Sequence, residues 1–326
     1  MNLATRRTPV AKLSAAIVRV NRLTRRFGGG TAVDALTFDV ARGELFGLVG
    51  PDGAGKTTTL RMLAGVLPPS DGDAEIEGIS VARDPEGVKP HIAYMAQRFG
   101  LYEDLTVREN LDFYADLYRV PKRERAARLE RLYAFSRLGE FEDRLAGALS
   151  GGMKQKLSLS CALIHQPRLL LLDEPTFGVD PISRRDLWFI LHEMVANGVT
   201  VIVSTSYLDE AERCDRVALL DAGAMLALDA PATLQETLPG RLFEVAVTIP
   251  RRARDVLRGS TLVRSATLFG PVLHVQLEDD ATIEAALELL ARHDLRPDHV
   301  APITASLEDI FLDRVGRRGR ARAEVA

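Results

Sequence analysis

The stretch GPDGAGKTTTL at 50–60 constrains the fold of this chain more than any other segment. It fits the pattern G-x-x-x-x-G-K-[ST] and lies between an apolar, strand-like run and a helix-like segment. Gly53 and Gly55 let backbone N–H groups converge on phosphate oxygens at the helix N-terminus. Lys56 then reaches the terminal phosphates, and the Thr57 hydroxyl is a ligand for Mg²⁺. A plain glycine-rich turn is a poor alternative in this context, so the sequence predicts a site for a nucleoside triphosphate.

Short apolar runs alternate with amphipathic segments over 17–238, a pattern typical of strands and crossover helices around a mainly parallel sheet. Four runs bounded by Gly, Pro or polar residues are the predicted buried strands: 44–50, 91–96, 168–173 and 199–205. A largely helical block lies between the second and third runs, and Pro121 divides it because proline cannot continue a helix interior. We therefore predict a helical subdomain, at about 98–165, inserted between strands.

The pattern changes in the last third of the chain. The order of elements over 240–314 is β-α-β-β-α-β, which predicts a small, ferredoxin-like α+β domain. We expect a closing helix with Ser306 as its N-cap, followed by a frayed basic tail at 315–326. Residues 1–16 lack the continuous apolar segment of a signal peptide, so we expect a flexible leader there.

Composition argues against several classes of partner and site. The 42 basic and 45 acidic side chains give a formal net charge of −3, which offers no support for nucleic acid or an anionic membrane as partner. The two cysteines are too few for a disulfide framework or a zinc site, and the six histidines are too scattered for a metal site on one helix. No apolar run approaches the ~20 residues that cross a bilayer. We expect a globular protein of a reducing compartment.

A second chemical element is LLLLDEP at 169–175, in which a buried strand ends in two carboxylates. A strand of this kind delivers Asp173 to its C-terminal end, beside the metal of the nucleotide site. Glu174 is then positioned to accept the proton of an attacking water. A solvated acidic turn is the common explanation of a lone Asp-Glu pair, but it is the minor option in a chain that also has a P-loop.

A third element, LSGGMKQ at 149–155, predicts another helix N-terminus with anion-binding geometry. Ser150 is a natural N-cap, and Gly151 and Gly152 leave backbone amides accessible. One helical face is expected to be buried: Met153, Leu157, Cys161 and Ile164. Because the P-loop already cradles the terminal phosphates of one nucleotide, a second amide nest makes sense if it serves a nucleotide bound to another subunit.

Taken in order, the motifs GPDGAGKTT, MAQ, LSGGMKQ, LLLLDEP and GVDP resemble those of the ATP-binding subunit of an ABC transporter. The resemblance covers about 17–238, and the LSGG element separates this family from other P-loop ATPases. It implies an α/β P-loop NTPase fold with a RecA-like, mainly parallel sheet, an inserted helical subdomain and antiparallel β elements. The small α+β unit at 240–314 then forms an additional C-terminal domain.

The resemblance also implies roles for individual residues. Two such domains form a head-to-tail dimer with ATP between the P-loop of one and the LSGG element of the other. The implied nucleotide-binding residues are Phe27, Gly50, Pro51, Asp52, Gly53, Ala54, Gly55, Lys56, Thr57, Thr58, Ser150, Gly151, Gly152 and Asp180. The implied Mg²⁺ site uses Thr57, Gln97 and Asp173, and the implied catalytic residues are Lys56, Gln97, Glu174 and Ser206. Stacking of Phe27 on adenine has simple packing of the ring as its alternative.

Three further segments are similar to ATPase subunits of ABC-2 type exporters, which include drug-resistance transporters: RFGLYEDLTVRENLDFYADLY, the Met of LSGGMKQ, and ASLEDIFLDR. The similarity implies a separate transmembrane permease, a second ATP-binding subunit in a homodimer or heterodimer, and a peripheral location at the cytoplasmic face of the cell membrane. A non-transport ABC protein that clamps ribosomes or DNA is the competing hypothesis. Tandem ATP domains, a long inserted coiled coil or zinc-binding cysteines would favour it, and the sequence has none of these.

The chain departs from the family pattern at Ser206, in VTVIVSTSYLDEAERCD. The family has a histidine at this position, which contacts the γ-phosphate. A serine hydroxyl is shorter and neutral, so it reaches the phosphate only through a water. We therefore hypothesise slowed hydrolysis, either in a regulatory subunit or in a dimer with a second, complete subunit; the alternative is a competent homodimer in which other groups substitute. We also expect Ser206 to cap the following helix.

Overall fold

The computed structural model describes residues 16–97 and 100–325, with side chains described through 318. The chain divides into two compact units, Met1–Leu228 and Asp229–Ala326. The leader expected at 1–16 lies outside the described residues except for Ala16, which begins the first strand. Within the described residues, no helix combines the length and apolarity needed to cross a membrane.

The first unit contains two sheets. Its strands are β1 (Ala16–Phe27), β2 (Gly30–Ala41), β3 (Leu45–Val49), β4 (Asp71–Ile76), β5 (Ile79–Ser80), β6 (Ile92–Met95), β7 (Leu169–Asp173), β8 (Thr200–Thr205), β9 (Arg216–Asp221) and β10 (Ala224–Asp229). A four-stranded sheet has the order β2-β1-β4-β5, and its neighbouring strands are antiparallel. A six-stranded sheet has the order β10-β9-β3-β8-β7-β6, with β3, β6, β7, β8 and β9 joined by parallel pairing.

The predicted buried strands correspond to β3, β6, β7 and β8, so this part of the fold prediction is confirmed. Every residue of β7 and of β8 is buried, because helices and the antiparallel sheet cover the faces of this parallel sheet. This explains why both strands are continuous apolar runs that end in polar residues. The carboxyl ends of β3, β7 and β8 meet at one edge of the sheet, which is where ligands bind in α/β folds.

The helices of the first unit are α1 (Lys56–Leu63), α2 (Pro85–Val88), α3 (Val107–Leu117), α4 (Lys122–Ser136), α5 (Gly151–Leu163), α6 (Pro181–Ala196) and α7 (Leu208–Ala211). The inserted block consists of α3, α4 and α5, which share one core. Pro121 is the N-cap of α4 and separates it from α3, as the sequence predicted. Thr106 and Glu109 form a capping box that fixes the start of α3.

The predicted apolar face of α5 is also present. Leu157, Cys161 and Ile164 are fully buried in the core of the inserted block, and the half-buried Met153 packs against that core. Burial raises the pKa of the Cys161 thiol, so this cysteine is a packed side chain rather than a reactive one.

The second unit has the predicted β-α-β-β-α-β order. Its elements are α8 (Pro231–Glu236), β11 (Leu242–Val247), α9 (Pro250–Arg258), β12 (Val263–Phe269), β13 (Val272–Leu277), α10 (Ile283–Ala291), β14 (Pro297–Pro302) and α11 (Leu307–Val325). The sheet order is β12-β13-β11-β14, and all neighbouring strands are antiparallel. One face of this sheet packs with α9 and α10 around a separate core.

The last helix is longer than expected. Ser306 caps α11 as predicted, because its hydroxyl accepts a hydrogen bond from the Asp309 N–H at 3.2 Å and the Asp309 carboxylate accepts from the Ser306 N–H at 2.9 Å. We expected the chain to fray from 315, but the helix continues to Val325. The Arg- and Ala-rich sequence favours helix, and Asp313 and Arg317 form an ion pair at 2.9 Å one turn apart.

Candidate nucleotide site

The P-loop joins the end of β3 to the start of α1 and has the backbone shape that the sequence predicted. A Cβ on Gly50 would lie 2.2 Å from the Leu220 carbonyl oxygen, so only glycine fits there. Gly55 has a φ of 99°, a left-handed conformation that favours glycine, and a Cβ there would lie 2.6 Å from the Ala32 carbonyl oxygen. Gly55 is also the N-cap of α1 and provides no side-chain cap, which leaves the first N–H groups of the helix available to an anion.

A cavity of about 380 Å³ lies over this loop. It is lined by Ala32, Pro51, Asp52, Gly53, Ala54, Gly55, Lys56, Thr57, Thr58, Gln97, Glu174 and Phe177. Every predicted P-loop residue except Gly50 is in this lining. Gly50 instead provides a carbonyl oxygen that accepts a hydrogen bond from the Lys56 ammonium at 2.7 Å.

The Lys56 side chain lies beneath the cavity and is only 4% exposed. Its ammonium donates to the Pro51 carbonyl oxygen at 3.1 Å and to the Ser206 hydroxyl at 2.8 Å. It also lies 3.0 Å from Oε1 of Glu174, with which it forms an ion pair. The ammonium is therefore held at the mouth of the loop in the position from which a lysine reaches phosphate.

The Glu174 carboxylate has three donors. Besides Lys56, the Ser206 hydroxyl donates to Oε1 at 2.9 Å and the Gln97 amide donates to Oε2 at 3.0 Å. The backbone of Glu174 is left-handed, with φ 47°, an uncommon conformation for a residue other than glycine. The Glu174 N–H donates to the Ser204 hydroxyl at 3.0 Å, which holds the turn after β7 in place. The structure thus brings together the predicted catalytic residues Lys56, Gln97, Glu174 and Ser206.

Asp173 lies beside the P-loop at the end of β7. Its Oδ1 accepts hydrogen bonds from the Thr57 hydroxyl at 2.9 Å and from the Ser204 hydroxyl at 2.8 Å. Its Oδ2 accepts from the Tyr94 hydroxyl at 3.3 Å, and burial together with the Asp173 charge raises the pKa of Tyr94. A hydroxyl and a carboxylate at this distance are oxygen donors of the kind that a small, hard divalent cation prefers.

Cation sites of this type use few protein ligands. Within the described residues, no group of three or more His, Cys, Asp or Glu side chains is arranged to hold a metal. Thr57 and Asp173 offer two protein oxygens beside the P-loop, and Mg²⁺ that also binds phosphate usually takes few ligands from the protein. The amide of Gln97 is directed at Glu174 here, 3.0 Å away.

The expectation that Ser206 caps a helix is wrong. The N-cap of α7 is Tyr207, and no side chain provides a capping bond. The Ser206 hydroxyl bonds instead to Lys56 and Glu174, because partners brought together by the sheet compete successfully with a local capping bond. Ser206 directly follows β8, and its hydroxyl faces the cavity residues Lys56 and Glu174.

Glu210 is a buried carboxylate next to the site that sequence reasoning missed. It is 1% exposed, and its Oε2 accepts from the Thr205 hydroxyl at 2.7 Å and from the Thr176 hydroxyl at 2.9 Å. Arg184 lies 3.4 Å from its other oxygen and places its guanidinium 4.4 Å from the centre of the Tyr207 ring. Glu210 therefore ties the turn after β7, the end of β8 and the start of α6 together. Sequence alone gave no sign of this role, because Glu210 lies in an acidic segment whose side chains would be expected to face solvent.

The LSGG element lies apart from the P-loop cavity of its own chain. Ser150 caps α5 by accepting from the Met153 N–H at 3.3 Å, and the Cβ position of Gly151 has no neighbour within 4 Å. A Cβ on Gly152 would lie 2.2 Å from the Ser183 hydroxyl oxygen, so glycine permits close packing of α5 on α6. Neither these residues nor Asp180 line the P-loop cavity.

Asp180 is the N-cap of α6. It accepts hydrogen bonds from the backbone N–H groups of Ile182 at 3.1 Å and Ser183 at 3.0 Å. Hydrogen bonding from Ser183, through its hydroxyl first, lowers the pKa of the Asp180 carboxyl. The carboxylate therefore stays ionised at the exposed start of the helix.

Phe27 is not among the residues that the structure brings to the P-loop cavity. It lies at the end of β1 and is 49% exposed, with the Arg25 guanidinium 4.7 Å from the centre of its ring. Its role in binding a base therefore stays a prediction.

Comparisons with known proteins agree with these motifs. A profile of the family described as "ABC transporter" matches residues 33–177. The probable multidrug ABC transporter ATP-binding protein YbhF of Escherichia coli (strain K12) is 43% identical over 316 residues, which cover 94% of this chain and 54% of that protein. The chain thus spans about half the length of this relative. The Nod factor export ATP-binding protein I of Paraburkholderia xenovorans (strain LB400) is 36% identical over 304 residues, which cover 93% of this chain and 98% of that protein.

Solved structures show the same fold. A structure described as the ATP binding subunit of an ABC transporter has a TM-score of 0.61 and 32% identity, covering 68% of this chain and 92% of the other. The ATP-binding cassette MJ0796, in a dimeric post-hydrolysis state bound to ADP and Pi, has a TM-score of 0.59 and 24% identity, covering 65% of this chain and 98% of the other. The second likeness supports the fold alone.

The Ser204 hydroxyl yields a testable prediction, because it bonds to both Asp173 and the Glu174 backbone. Ser204→Ala should leave nucleotide affinity within about twofold but lower kcat for triphosphate hydrolysis roughly tenfold, since both carboxylates lose their common support. The measurement is steady-state phosphate release together with nucleotide binding by calorimetry.

The matched control is Ser160→Ala, which removes an equally buried serine hydroxyl that bonds only to the Lys156 carbonyl oxygen of its own helix. Its kcat should stay near the wild-type value. If kcat falls equally in the two variants, the effect of Ser204→Ala comes from lower stability of the fold and not from the loss of its bonds to Asp173 and Glu174.

Proposed function

The chain belongs to the ABC transporter family of ATP-binding subunits, and from this membership we propose that it is an ATPase that works as half of a head-to-tail dimer and powers an ABC-2 type exporter. Two relatives named for multidrug transport and Nod factor export support an exporter. The proposed ATP-binding domain is 17–238, with 240–314 as an accessory domain and 315–326 as a basic terminal segment.

The position of the LSGG element is the observation that carries this proposal. Ser150, Gly151 and Gly152 start a helix with an accessible N-terminus, yet they do not line the P-loop cavity of their own chain. An amide nest that lies away from the P-loop of its own chain fits a phosphate presented by a second subunit. Asp180 is exposed at the start of the adjacent α6, and in this proposal it contacts the same subunit.

The P-loop residues bind the phosphates in this proposal. Backbone N–H groups from Gly53 to Thr58 cradle the β- and γ-phosphates, and the Lys56 ammonium exchanges its ion pair with Glu174 for a phosphate oxygen. Thr57 and Asp173 would hold Mg²⁺, with Gln97 turned toward it, and the ion would neutralise charge on the phosphates.

Release of Lys56 frees Glu174 to act as general base toward a water in line with the γ-phosphate. The Ser206 hydroxyl then keeps the Glu174 carboxylate oriented, since it donates to Oε1 in the structure. The proposed catalytic set is therefore Lys56, Gln97, Glu174 and Ser206, with the adenine position of Phe27 as a further proposal.

Hydrolysis in this site is proposed to be slow. A serine at 206 positions Glu174 but supplies neither the reach nor the charge of a histidine at the γ-phosphate. The working dimer then either turns over slowly as a homodimer or includes a second subunit with a complete site.

We further propose that the partner is a separate transmembrane permease and that the chain is peripheral at the cytoplasmic face of the cell membrane. The named functions of the relatives support a transporter partner over nucleic acid. Affinity purification of the chain from detergent-solubilised membranes of its own organism should recover a polytopic membrane protein in stoichiometric amount. Recovery of ribosomes or DNA-bound proteins in its place would contradict the exporter proposal.

The homodimeric, head-to-tail arrangement predicts complementation between two inactive variants. Lys56→Ala removes the phosphate-binding ammonium, and Gly151→Asp places a repelling carboxylate at the LSGG element, where the Cβ position is open. Each variant alone should have less than about 1% of the wild-type ATPase rate. An equimolar mixture should recover up to roughly a quarter of that rate, because half of the random dimers are mixed and each has one intact site.

The control for complementation carries both substitutions on one chain and is mixed with wild type. Its mixed dimers have a defect in each site, so they should add nothing to the activity of the wild-type homodimers present. If the two single variants do not complement, the homodimeric arrangement is wrong and a heterodimer is favoured.

Slow hydrolysis is tested at Ser206 itself. Ser206→His should raise kcat about tenfold or more with little change in ATP affinity, because an imidazole adds a donor near the transition-state charge. Ser206→Ala should lower kcat further, and Glu174→Gln should nearly abolish it. ATPase rates of the four proteins decide the matter. A vigorous wild-type rate that histidine does not improve would refute slowed hydrolysis.

A further inference from the structure

A second cavity, of about 790 Å³, lies in the first unit away from the nucleotide site. It is bounded by the C-terminal half of α4, by the end of α5 with Gln166 and Pro167, and by the C-terminal half of α6. It shares no lining residue with the P-loop cavity. Its volume lies within the range of about 300–1,000 Å³ that is usual for small-molecule sites.

The walls of this cavity combine apolar and charged side chains. Leu132, Phe135, Ile190 and Met194 line it from α4 and α6. Phe189 lines it as well and is 65% exposed, which is unfavourable for a large aromatic ring in water. Aromatic and aliphatic walls of this kind favour a ligand with a flat or chain-like apolar body.

The charges in the lining are unevenly paired. Arg128 is satisfied by Glu124 at 2.6 Å and by the Ile164 carbonyl oxygen at 2.9 Å, and Lys156 pairs with Asp186 at 3.3 Å. These paired cations are not free to bind a ligand.

Two arginines differ from them: Arg131 on α4 and Arg137 at the C-cap of that helix. Arg131 donates only to the Ala127 carbonyl oxygen, at 3.2 Å, and neither it nor Arg137 forms an ion pair with any described side chain. Both are exposed. Glu193 is the single carboxylate of the lining without an ion pair among the described residues, so the unpaired charge is positive by one. A guanidinium fork next to apolar walls matches a planar acidic group such as carboxylate or sulfonate.

The helices that end at this cavity begin at the LSGG element and at Asp180, so the coupling argued here rests on the proposed function, in which both contact the nucleotide of a second subunit. α5 starts with the LSGG element and α6 starts at Asp180. The two helices touch at Gly152 and Ser183 and are joined by the Lys156–Asp186 ion pair. Because packed helices move as rigid bodies, a ligand that separates or clamps their C-terminal halves alters the relation of their N-termini.

We propose that this cavity binds a small amphipathic anion, with an apolar body and one acidic group, and that its occupancy is coupled to the nucleotide site through α5 and α6. Arg131 and Arg137 bind the acidic group. Phe135 and Phe189 contact the apolar body.

The binding half is tested with 8-anilinonaphthalene-1-sulfonate, whose fluorescence rises in an apolar site, added to the nucleotide-free chain. We expect saturable binding that Arg131→Glu and Arg137→Glu each weaken about tenfold or more, since each reverses a charge that contacts the sulfonate. The neutral analogue N-phenyl-1-naphthylamine should bind all variants within about twofold, because only the sulfonate contacts the arginines.

Arg123→Glu is the matched control, since Arg123 is on the same helix, 87% exposed and outside the lining. It makes the same charge change and should leave the sulfonate affinity unchanged. Absence of saturable binding, or an equal loss in all three charge reversals, would overturn the site.

The coupling half is tested by titrating the probe at increasing concentrations of a non-hydrolysable ATP analogue with Mg²⁺. Coupling predicts that the apparent Kd of the probe changes by about fivefold or more and then levels off as nucleotide saturates. If the apparent Kd of the probe rises in proportion to the nucleotide concentration without levelling off, the two compete and the probe binds in the P-loop cavity. If the apparent Kd does not change, the two sites are not coupled. Because binding to nucleotide-free protein does not depend on the proposed ATPase function, failure of one is distinguishable from failure of the other.

Discussion

The ion pair between Lys56 and Glu174 joins the two halves of the nucleotide site, one from the loop after β3 and one from the turn after β7. Both side chains are largely buried, and a buried ion pair is stable only if further hydrogen bonds complete it. Ser206, Gln97 and the carbonyl oxygens of Gly50 and Pro51 provide these bonds. The pair therefore holds the two halves of the site together, and in the proposed function a phosphate oxygen takes the place of Glu174 beside the ammonium.

The parallel sheet makes this arrangement possible. Adjacent β3, β8 and β7 end at the same edge, so groups far apart in sequence meet within hydrogen-bond distance. Ser204 lies near the end of β8, the middle strand of the three. Its hydroxyl bonds to the carboxylate of Asp173 and to the backbone of Glu174. One hydroxyl thus orients both acidic residues. Glu210 holds the turn after β7 in place, because it accepts hydrogen bonds from Thr176 in that turn and from Thr205 of β8. The positions of the site residues are therefore set mainly by the strand ends, and the loops that follow the strands are held by hydrogen bonds to them.

Much of this could be predicted from sequence because its physical causes are local. A strand buried on both faces is a continuous apolar run, which identified β7 and β8, and the P-loop glycines follow from steric limits on their backbone. The orientation of the Ser206 hydroxyl could not be predicted, because a local capping rule competes with Lys56, which is distant in sequence. Glu210 was missed for the same reason, since Thr176 and Arg184 bury it through tertiary contacts.

The left-handed backbone of Glu174 has an energetic cost. A non-glycine residue in that conformation costs on the order of 1 kcal/mol, whatever its side chain does. Glycine or asparagine would relieve the strain and would leave the phosphate cradle of the P-loop intact. The strain is offset by what the glutamate side chain does in the fold, because its carboxylate accepts from Lys56, Ser206 and Gln97 and so joins the turn after β7 to the P-loop. The cost of the backbone conformation and the gain from these bonds therefore fall on the same residue.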